Sequence, residues 1–315
     1  MKIVLTDCKT VTRGDIDLSV FDSIGETVYY DLTPADKLIE RIADADAVIC
    51  NKTIISAEVM ASAKNLKYIG LFATGFNNID VEYANSHGIT VCNAGSYSTN
   101  AVAQHAFACI LNHTNRVADY TAFVNGGGWQ NSETFSPFIY RMMELSGRKI
   151  GIVGYGSIGR EVAKIAKAFS MEVLAYKRNP VSEEGVKFVD LDTLVSESDF
   201  VTVHCPLNKE SEKMFNDELF AKFKDGAFFV NTARGGVVDE SALKKALVSG
   251  KLSGAAIDVL TTEPMPQDCE LINLPGLSVT PHIAWAPVET RQRLLGIVTD
   301  NLTSFIAGTP KNIVK

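Results

Sequence analysis

The sequence predicts an α/β fold with two parallel sheets. Short apolar runs rich in β-branched residues alternate with segments of helical period from one end of the chain to the other. The alternation is interrupted once near the middle and then starts again. The chain has 315 residues, which is long enough for two domains of ordinary size, each with its own core.

Five strands are predicted in the first third of the chain. We expect them at Lys2–Leu5, Thr27–Tyr30, Ala47–Cys50, Tyr68–Leu71 and Thr90–Cys92. A helix should begin at the segment Thr33-Pro34-Ala35-Asp36. Thr33 can cap this helix, Pro34 fits its first position, and Asp36 suits the positive end of the helix dipole.

A long helix at Asn100–Arg116 is predicted next, followed by a Gly-rich, aromatic excursion at Gly126–Tyr140 that has no regular period. The second series of strands is expected at Lys149–Val153, Glu172–Ala175, Phe200–His204, Ala227–Asn231 and Leu252–Asp258. The tail Val288–Ala307 has the amphipathic period of one helix that ends near Gly308.

Composition excludes several classes of protein. The net charge of −7 argues against nucleic acid as a partner, because phosphate binding needs a basic surface. No apolar run reaches the roughly 18 residues of a membrane span. The six cysteines have no CxxC spacing, so we expect free thiols in a reducing cytoplasm and no zinc site or other metal.

The segment Gly154–Gly159 has the pattern GxGxxG. It follows the strand predicted at Lys149–Val153 and opens a helix. In that context the first glycine makes a tight turn, the second lets the backbone approach a pyrophosphate, and the third lets helix and strand pack closely. GxGxxG alone is a weak signal, but the strand–turn–helix context predicts a dinucleotide site of the Rossmann type.

The end of the following strand bears on the type of dinucleotide. An NAD site places an acidic residue about 20 residues past the glycines, where it holds the ribose 2′-hydroxyl. Here Lys177 and Arg178 occupy this region, and no acidic residue occurs before Glu183. The two cations favour the 2′-phosphate of NADP(H). Alternatively, they are solvated loop charges and the site takes NAD(H).

Three further blocks each follow a predicted strand and contain Arg234 (NTARGG), Glu263 (DVLTTEP) and His282 (TPHIAW). Because ligands bind at the carboxyl ends of strands in open α/β sheets, these side chains should converge. A guanidinium can hold a carboxylate and polarise a carbonyl, and a histidine can donate a proton near neutral pH. A carboxylate beside the histidine orients the ring and favours its charged form. The set suits reduction of a 2-oxo acid.

With these motifs, and with HCPL at 204–207 and NTARGGVVDE at 231–240, the chain resembles the D-2-hydroxyacid dehydrogenases over essentially its whole length. The resemblance implies that Arg234 binds substrate, that His282 is the acid/base and that Glu263 is its partner. It also implies a Rossmann-like NAD(P)-binding domain of residues 99–285. This domain would be inserted in a flavodoxin-like, also Rossmann-like, substrate domain of residues 1–98 plus 286–315, with the active site in the cleft.

The resemblance assigns binding residues as well. The loop 73–80 matches the family's substrate loop, whose backbone N–H groups at Thr74, Gly75 and Phe76 would hold the substrate carboxylate together with Arg234 and His282. Without the resemblance, a simple glycine turn explains this loop equally well. The expected cofactor contacts are Gly154, Gly156, Ser157, Ile158, Gly159, Lys177, Arg178, Cys205, Thr232, Ala233 and Asp258, the last facing the nicotinamide amide.

The blocks at 71–80 and 282–286 are most similar to the glycerate dehydrogenases, also called hydroxypyruvate reductases. Hydroxypyruvate or glyoxylate is therefore the expected substrate, with 3-phosphohydroxypyruvate or phenylpyruvate as alternatives. Formate dehydrogenase is disfavoured because its histidine partner is an amide. A second class of function stays open, namely a dinucleotide-sensing interaction protein on the same scaffold.

The other candidate residues are given structural roles. His105 and His113 share a helix without a third ligand and should pack in a core or an interface, while His87 should cap a helix end and His204 should make a structural hydrogen bond. Cys205 has no base partner and is not expected to be a nucleophile. The resemblance implies a homodimer formed through Asn100–Arg116 and the excursion Gly126–Arg141, where Trp129, Phe135, Phe138 and Tyr140 would pack.

Overall fold

The computed structural model describes residues 1–315 and divides into two compact units. Unit 1 consists of Met1–Ser98 and Ala286–Lys315, and unit 2 of Thr99–Trp285. Unit 2 is therefore inserted in the chain between the two parts of unit 1.

Unit 1 contains a five-stranded sheet in the order β2-β1-β3-β4-β5, in which every pairing is parallel. The strands are β1 (Lys2–Leu5), β2 (Glu26–Tyr29), β3 (Ala47–Cys50), β4 (Tyr68–Leu71) and β5 (Thr90–Cys92). The helices between them are α1 (Ala35–Ile42), α2 (Ala57–Ser62) and α3 (Val81–Ser86). This strand order is that of flavodoxin-like folds. Strands β3 and β4 are buried at every position, as expected of inner strands covered on both faces.

Helix α1 begins one residue later than the sequence predicts. Pro34 is the N-cap, in extended conformation, and no side chain caps the helix. Thr33 lies one position further out, where its hydroxyl accepts a hydrogen bond from Arg41 Nη1 at 2.9 Å. The prediction that Thr33 caps the helix is wrong, because its oxygen is used by the last turn of the helix rather than by the first.

Unit 2 contains a seven-stranded parallel sheet in the order β12-β11-β10-β9-β6-β7-β8. Its strands are β6 (Lys149–Val153), β7 (Glu172–Tyr176), β8 (Lys187–Phe188), β9 (Phe200–Val203), β10 (Ala227–Asn231), β11 (Leu252–Ile257) and β12 (Leu277–Val279). The order reverses between β6 and β9, which defines the switch point of a Rossmann-type sheet. The predicted α/β fold with two parallel sheets is confirmed.

Helices cover both faces of this sheet. They are α4 (Thr99–Asn115), α6 (Ser157–Ala168), α7 (Leu191–Glu197), α8 (Asp217–Lys222) and α9 (Glu240–Val248). A further helix, α5 (Val117–Asn125), has no buried residue. Adjacent strand residues such as Ile152 and Val153, or Phe228 and Phe229, belong to different apolar clusters. Because side chains alternate along a strand, the two clusters form cores on opposite faces of one sheet.

The helix predicted at Asn100–Arg116 ends at Asn115. Arg116 adopts a left-handed conformation with φ 53°, and α5 begins directly after it. No helix or strand follows between Gly126 and Arg148, which confirms the predicted excursion.

The chain returns to unit 1 with α10 (Val288–Ile306), whose Leu294, Val298 and Leu302 are buried at a spacing of four residues. None of the helices combines the length and the apolar character that crossing a membrane requires.

Candidate active site

The glycine turn lies at the switch point of the unit 2 sheet. Gly154 has φ +95°, and a Cβ on it would lie 2.4 Å from the backbone nitrogen of Cys205. A Cβ on Gly159 would lie 2.3 Å from the carbonyl oxygen of Gly154, whereas Gly156 has open space beside it. Two of the glycines are therefore required by close backbone approach, and the third leaves the turn accessible to a ligand.

Helix α6 begins immediately after this turn, with Gly156 as its N-cap. A glycine has no side chain to cap the helix, and the first turn, which includes Ser157 and Ile158, contains no acidic residue. The first turn of α6 thus adds no carboxylate of its own to the positive end of the helix dipole, where backbone N–H groups can bind an anion. These features fit the pyrophosphate of a dinucleotide.

The remaining predicted cofactor residues follow the neighbouring strands. Cys205 follows β9, and Thr232 and Ala233 follow β10. Burial raises the pKa of the Cys205 thiol to about 11, so the thiol stays protonated at neutral pH. A protonated thiol is a poor nucleophile, so Cys205 is not assigned a nucleophilic role.

His204, beside Cys205, has a structural role. Its Nε2 lies 2.8 Å from Thr202 Oγ1, and desolvation lowers its pKa to about 3. It therefore stays neutral and cannot serve as a proton donor at physiological pH.

The region that would meet the adenosine ribose contains two ion pairs. Glu183, the first acidic residue after β7, accepts a hydrogen bond from Tyr155 Oη at 2.6 Å and is paired with Arg160. Arg178 is paired with Glu210, and both of these side chains are exposed. The acid that could hold a ribose hydroxyl is thus engaged by the protein, and one of the two predicted cations has a protein partner.

The loop that carries Arg234 is shaped by Asn231, a role that the sequence analysis missed although asparagine commonly bonds to the backbone two residues on. The Asn231 side chain donates to the Arg234 carbonyl at 3.0 Å and accepts from the Ala233 N–H at 3.0 Å. The residue after Arg234, Gly235, leaves no room for a side chain, since a Cβ would lie 1.9 Å from the Leu260 carbonyl carbon. Arg234 is half-buried, with Nη1 bonded to the Ala233 carbonyl at 2.7 Å.

The structure brings His282 and Glu263 together. His282 Nδ1 lies 2.6 Å from Glu263 Oε2, and the other carboxylate oxygen accepts the N–H of Leu260 at 3.0 Å. An ionised carboxylate can only accept, so Nδ1 carries a proton and Nε2 is the ring nitrogen left for chemistry. Glu263 is itself held by backbone, which restricts the orientation of the imidazole.

Asp258 holds the turn on which His282 lies. Its side chain is 1% exposed and accepts N–H groups from Ile283 and Ala284, both at 2.9 Å, and the hydroxyl of Thr280 at 2.6 Å. The backbone N–H of His282 also bonds to the Asp258 carbonyl at 2.8 Å. Sequence reasoning places Asp258 at the cofactor but misses this loop-holding function, because donors 22 to 26 residues away have no local signal.

The predicted substrate loop belongs to unit 1 and follows β4. The Thr74 hydroxyl donates to the Gly95 carbonyl, and Asn93 Nδ2 donates to the Thr74 carbonyl at 2.7 Å. Gly75 and Phe76 lie in the turn beyond, where Phe76 is 40% exposed. These two bonds fix the loop through the hydroxyl and the carbonyl of Thr74, and neither uses the N–H group of Gly75 or Phe76.

The other histidines have mainly structural contacts. His87 is the C-cap of α3 and stacks on Tyr83 at 3.8 Å between ring centroids, which confirms the predicted cap. His113 stacks on Phe228 at 4.0 Å, and its pKa is lowered to about 4 by burial. His105 contacts Thr280. The structure contains no group of three His, Cys, Asp or Glu residues arranged to hold a metal ion.

Together, the glycine turn at the switch point, the uncapped helix N-terminus and the oriented histidine define a dinucleotide-dependent oxidoreductase. A family model described as "D-isomer specific 2-hydroxyacid dehydrogenase, NAD binding domain" matches residues 107–284. The chain belongs to the D-isomer-specific 2-hydroxyacid dehydrogenase family. It is thus an enzyme that uses a nicotinamide dinucleotide to reduce small 2-oxo acids to 2-hydroxy acids.

Relatives with similarity over the full length support this assignment. The chain is 41% identical over 320 residues to a hydroxypyruvate reductase of Blautia hydrogenotrophica, covering 100% of this chain and 99% of the relative. It is 36% identical to a glycerate dehydrogenase of Methylorubrum extorquens, with the same coverage. Among solved structures, the TT0316 protein from Thermus thermophilus is similar with a TM-score of 0.91, 34% identity and 100% coverage of both chains.

Proposed function

We propose that this protein reduces hydroxypyruvate to the D-2-hydroxy acid, with glyoxylate as a further substrate. The observation that carries the proposed reduction is the 2.6 Å contact between His282 Nδ1 and Glu263 Oε2, which leaves Nε2 as the proton donor. The relatives named hydroxypyruvate reductase and glycerate dehydrogenase support this choice of substrate within the family.

In this mechanism, each residue has a separate task. The cofactor supplies the hydride when it is bound. Arg234 holds the substrate carboxylate and polarises the carbonyl, since a guanidinium can do both with its planar set of donors. As the carbonyl carbon gains the hydride, its oxygen gains the proton from His282 Nε2. Glu263 stabilises the positive charge that the ring carries before transfer.

The backbone of Thr74, Gly75 and Phe76 is the second proposed site for the substrate carboxylate. The bonds from Thr74 to Gly95 and from Asn93 to Thr74 hold this segment in a defined turn. Successive backbone N–H groups in a turn form a concave anion site, which needs no further charged side chain. Phe76 would then limit the size of the acid that binds.

Steady-state reduction of hydroxypyruvate, glyoxylate, pyruvate, phenylpyruvate and 3-phosphohydroxypyruvate, each with NADH and NADPH, tests the proposal. We expect the highest kcat/KM for hydroxypyruvate. Faster turnover of phenylpyruvate or of the phosphorylated acid would reassign the substrate within the family. Binding of the dinucleotide without turnover of any acid would instead support a dinucleotide-sensing interaction protein.

We further propose that NADPH is preferred over NADH. Supporting this, Glu183 is engaged by Tyr155 and Arg160, and Lys177 is half-buried after β7. We expect Lys177→Asp to shift the ratio of kcat/KM for the two cofactors toward NADH. Lys64→Asp makes the same charge change at an exposed position in unit 1 and should leave the ratio unchanged.

The protein is also proposed to form a homodimer through α4 and the segment Gly126–Arg141. In this segment Phe135 is 89% and Phe138 is 87% exposed, and Trp129 is 53% exposed. Such a concentration of exposed aromatic surface is typical of an interface. Light scattering coupled to size exclusion should show a dimer that the double variant Phe135→Ser/Phe138→Ser dissociates.

We also propose a location in the reducing cytoplasm, which the six unpaired cysteines fit.

A further inference from the structure

His105, on the inner part of α4, contacts the turn that carries His282. Its Nε2 lies 3.0 Å from Thr280 Oγ1 and 3.8 Å from Asp258 Oδ1. Thr280 Oγ1 in turn lies 2.6 Å from Asp258 Oδ1. The His105 side chain is 19% exposed, so most of the ring is removed from water. Three side chains from separate parts of unit 2 thus form one hydrogen-bonded chain.

The direction of this chain follows from the donors that are present. The Asp258 carboxylate can only accept, so the single hydroxyl proton of Thr280 points to Asp258 Oδ1. The hydroxyl oxygen then has only lone pairs to offer to His105. Nε2 of His105 must therefore carry a proton and donate it to Thr280. A hydrogen bond that donates into a second one strengthens it, particularly where water is excluded.

Thr280 also determines where the turn begins. Its backbone N–H bonds to the Ile257 carbonyl at 3.0 Å, and its own carbonyl accepts the N–H of His282 at 3.0 Å. Asp258 holds the other end of the turn through the N–H groups of Ile283 and Ala284. The His282 backbone is consequently held on both sides by Thr280 and Asp258, the two residues that His105 approaches.

We propose that His105 is a positioning residue for the reaction, acting through Thr280 and Asp258 to hold the turn that presents His282. This inference rests on the proposed role of His282 as proton donor. A displacement of a proton donor by about 1 Å can lower a rate by about 100-fold. His105 therefore contributes to turnover, although it is not one of the residues proposed to bind substrate or cofactor.

His113 provides a matched control on the same helix. It lies two turns further along α4, stacks on Phe228, and has Nε2 3.2 Å from the hydroxyl of Ser253. Ser253 is near the start of β11, whereas Asp258 follows the end of that strand. His105 and His113 thus share a helix and a partly buried setting, but only His105 reaches the end of the sheet that carries His282.

The experiment compares His105→Phe, His105→Gln, Thr280→Val and the double variant His105→Phe/Thr280→Val with wild type and His113→Phe. We expect kcat to fall about 10- to 100-fold in His105→Phe and in Thr280→Val. The side-chain amide introduced by His105→Gln can donate to Thr280, so this variant should recover most of the loss. Because both residues act through one link, the double variant should be no slower than the slower single variant.

Hydrogen–deuterium exchange of the peptide that covers residues 280–285 supplies a readout independent of turnover. We expect exchange about tenfold faster in His105→Phe and Thr280→Val, and unchanged in His105→Gln and His113→Phe. A general loss of stability would instead raise exchange throughout unit 2. Thr280→Val keeps the side-chain shape, so it tests the same link if His105→Phe does not fold.

The inference is overturned if His105→Phe folds with unchanged exchange at 280–285, or if His105→Gln is as slow as His105→Phe. It is also overturned if the losses in the double variant multiply. A wild-type protein that reduces none of the 2-oxo acids would contradict the proposed function alone, because the exchange measurement still decides whether His105 holds the turn.

Discussion

Both units use a buried aspartate to hold a loop at the carboxyl edge of a sheet. Asp7, after β1, accepts N–H groups from Asn51, Lys52 and Thr53, at 2.6 to 3.1 Å, in the loop after the neighbouring strand β3. Asp258, after β11, does the same for the turn after the neighbouring strand β12. A parallel sheet places these loops side by side, so an acceptor at one strand end can hold the next loop.

The similarity extends to a threonine in each unit. Thr53 Oγ1 lies 3.1 Å from Asp7 Oδ2 and 2.9 Å from Thr6 Oγ1, as Thr280 Oγ1 lies between Asp258 and His105. The difference is the outer group, which is a neutral hydroxyl in unit 1 and an imidazole in unit 2. The same loop-holding arrangement therefore occurs twice, and it includes an ionisable donor only where the held turn carries the proposed proton donor.

The largest expected effect tests whether the proton donor lies on the turn held by Asp258 and not in unit 1. His282→Asn removes the proton-donating ring and should lower kcat about 10³-fold, with little change in the Kd of the dinucleotide. His87→Asn, in unit 1, removes a histidine that stacks on Tyr83 and should leave kcat unchanged. Stopped-flow reduction and fluorescence titration measure the two quantities. A parallel loss of cofactor affinity in His282→Asn would contradict the assignment.

Replacing each of the two aspartates by asparagine compares the two units directly. Asp7→Asn and Asp258→Asn each place an NH₂ group against backbone N–H donors, so each should destabilise its unit by about 1–3 kcal/mol. Only Asp258→Asn should also lower kcat, by about tenfold or more, because it displaces the turn of His282. Denaturant unfolding and steady-state assays check both expectations. Equal kcat losses in the two variants would remove the proposed distinction between the loops.

A smaller effect is expected from the outer hydroxyl in unit 1. Thr6→Val removes the group that bonds to Thr53 but leaves Asp7 with its backbone donors, so the loss should be about 1 kcal/mol. We expect a lower Tm and an unchanged kcat. If Thr6→Val slowed turnover as much as His105→Phe, the outer donors would be equivalent and the imidazole would have no special role.

The last effect is negligible at neutral pH and appears only in acid, where it distinguishes the units by their histidines. Burial holds the pKa of His113 at about 4 and of His204 at about 3 in unit 2. The unfolded chain binds protons on both groups below about pH 6.5, whereas the folded chain does not, so unit 2 loses stability as the pH falls from about 6.5 toward 4. His113→Gln removes one titrating group and should flatten this dependence in urea titrations. An identical slope would show that His113 does not contribute.

The fold is predictable from sequence because its strands are continuous apolar runs. Strands such as Tyr68–Leu71 and Lys149–Val153 lie at the residues that the sequence predicts, since burial on both faces leaves a local pattern. The helix end at Arg116 differs from the prediction by one residue, because a left-handed arginine has no signal in a helical period. Helix starts are less predictable than strands, as Thr33 shows.

Site residues can be predicted where they belong to a short sequence motif. They cannot be predicted where they act through contacts between distant parts of the chain. The glycine turn can be assigned from spacing because close backbone approach requires Gly154 and Gly159, while Gly156 leaves the turn open. The contact of His105 with Thr280 joins residues 175 positions apart, and nothing near His105 indicates it. Residues that hold the site in place are therefore harder to predict than residues that form it.

The backbone of His282 is left-handed, with φ 55°. A substitution at this position therefore affects conformational stability and turnover separately, although the two effects are usually measured together. Asparagine and glycine tolerate this conformation, whereas alanine and especially valine incur an additional conformational cost of about 1–2 kcal/mol. In a scan of all replacements at this position, turnover should be lost for nearly all of them. Cellular abundance should still rank glycine and asparagine above valine, so a pooled screen for abundance would detect a backbone constraint that a screen for activity cannot.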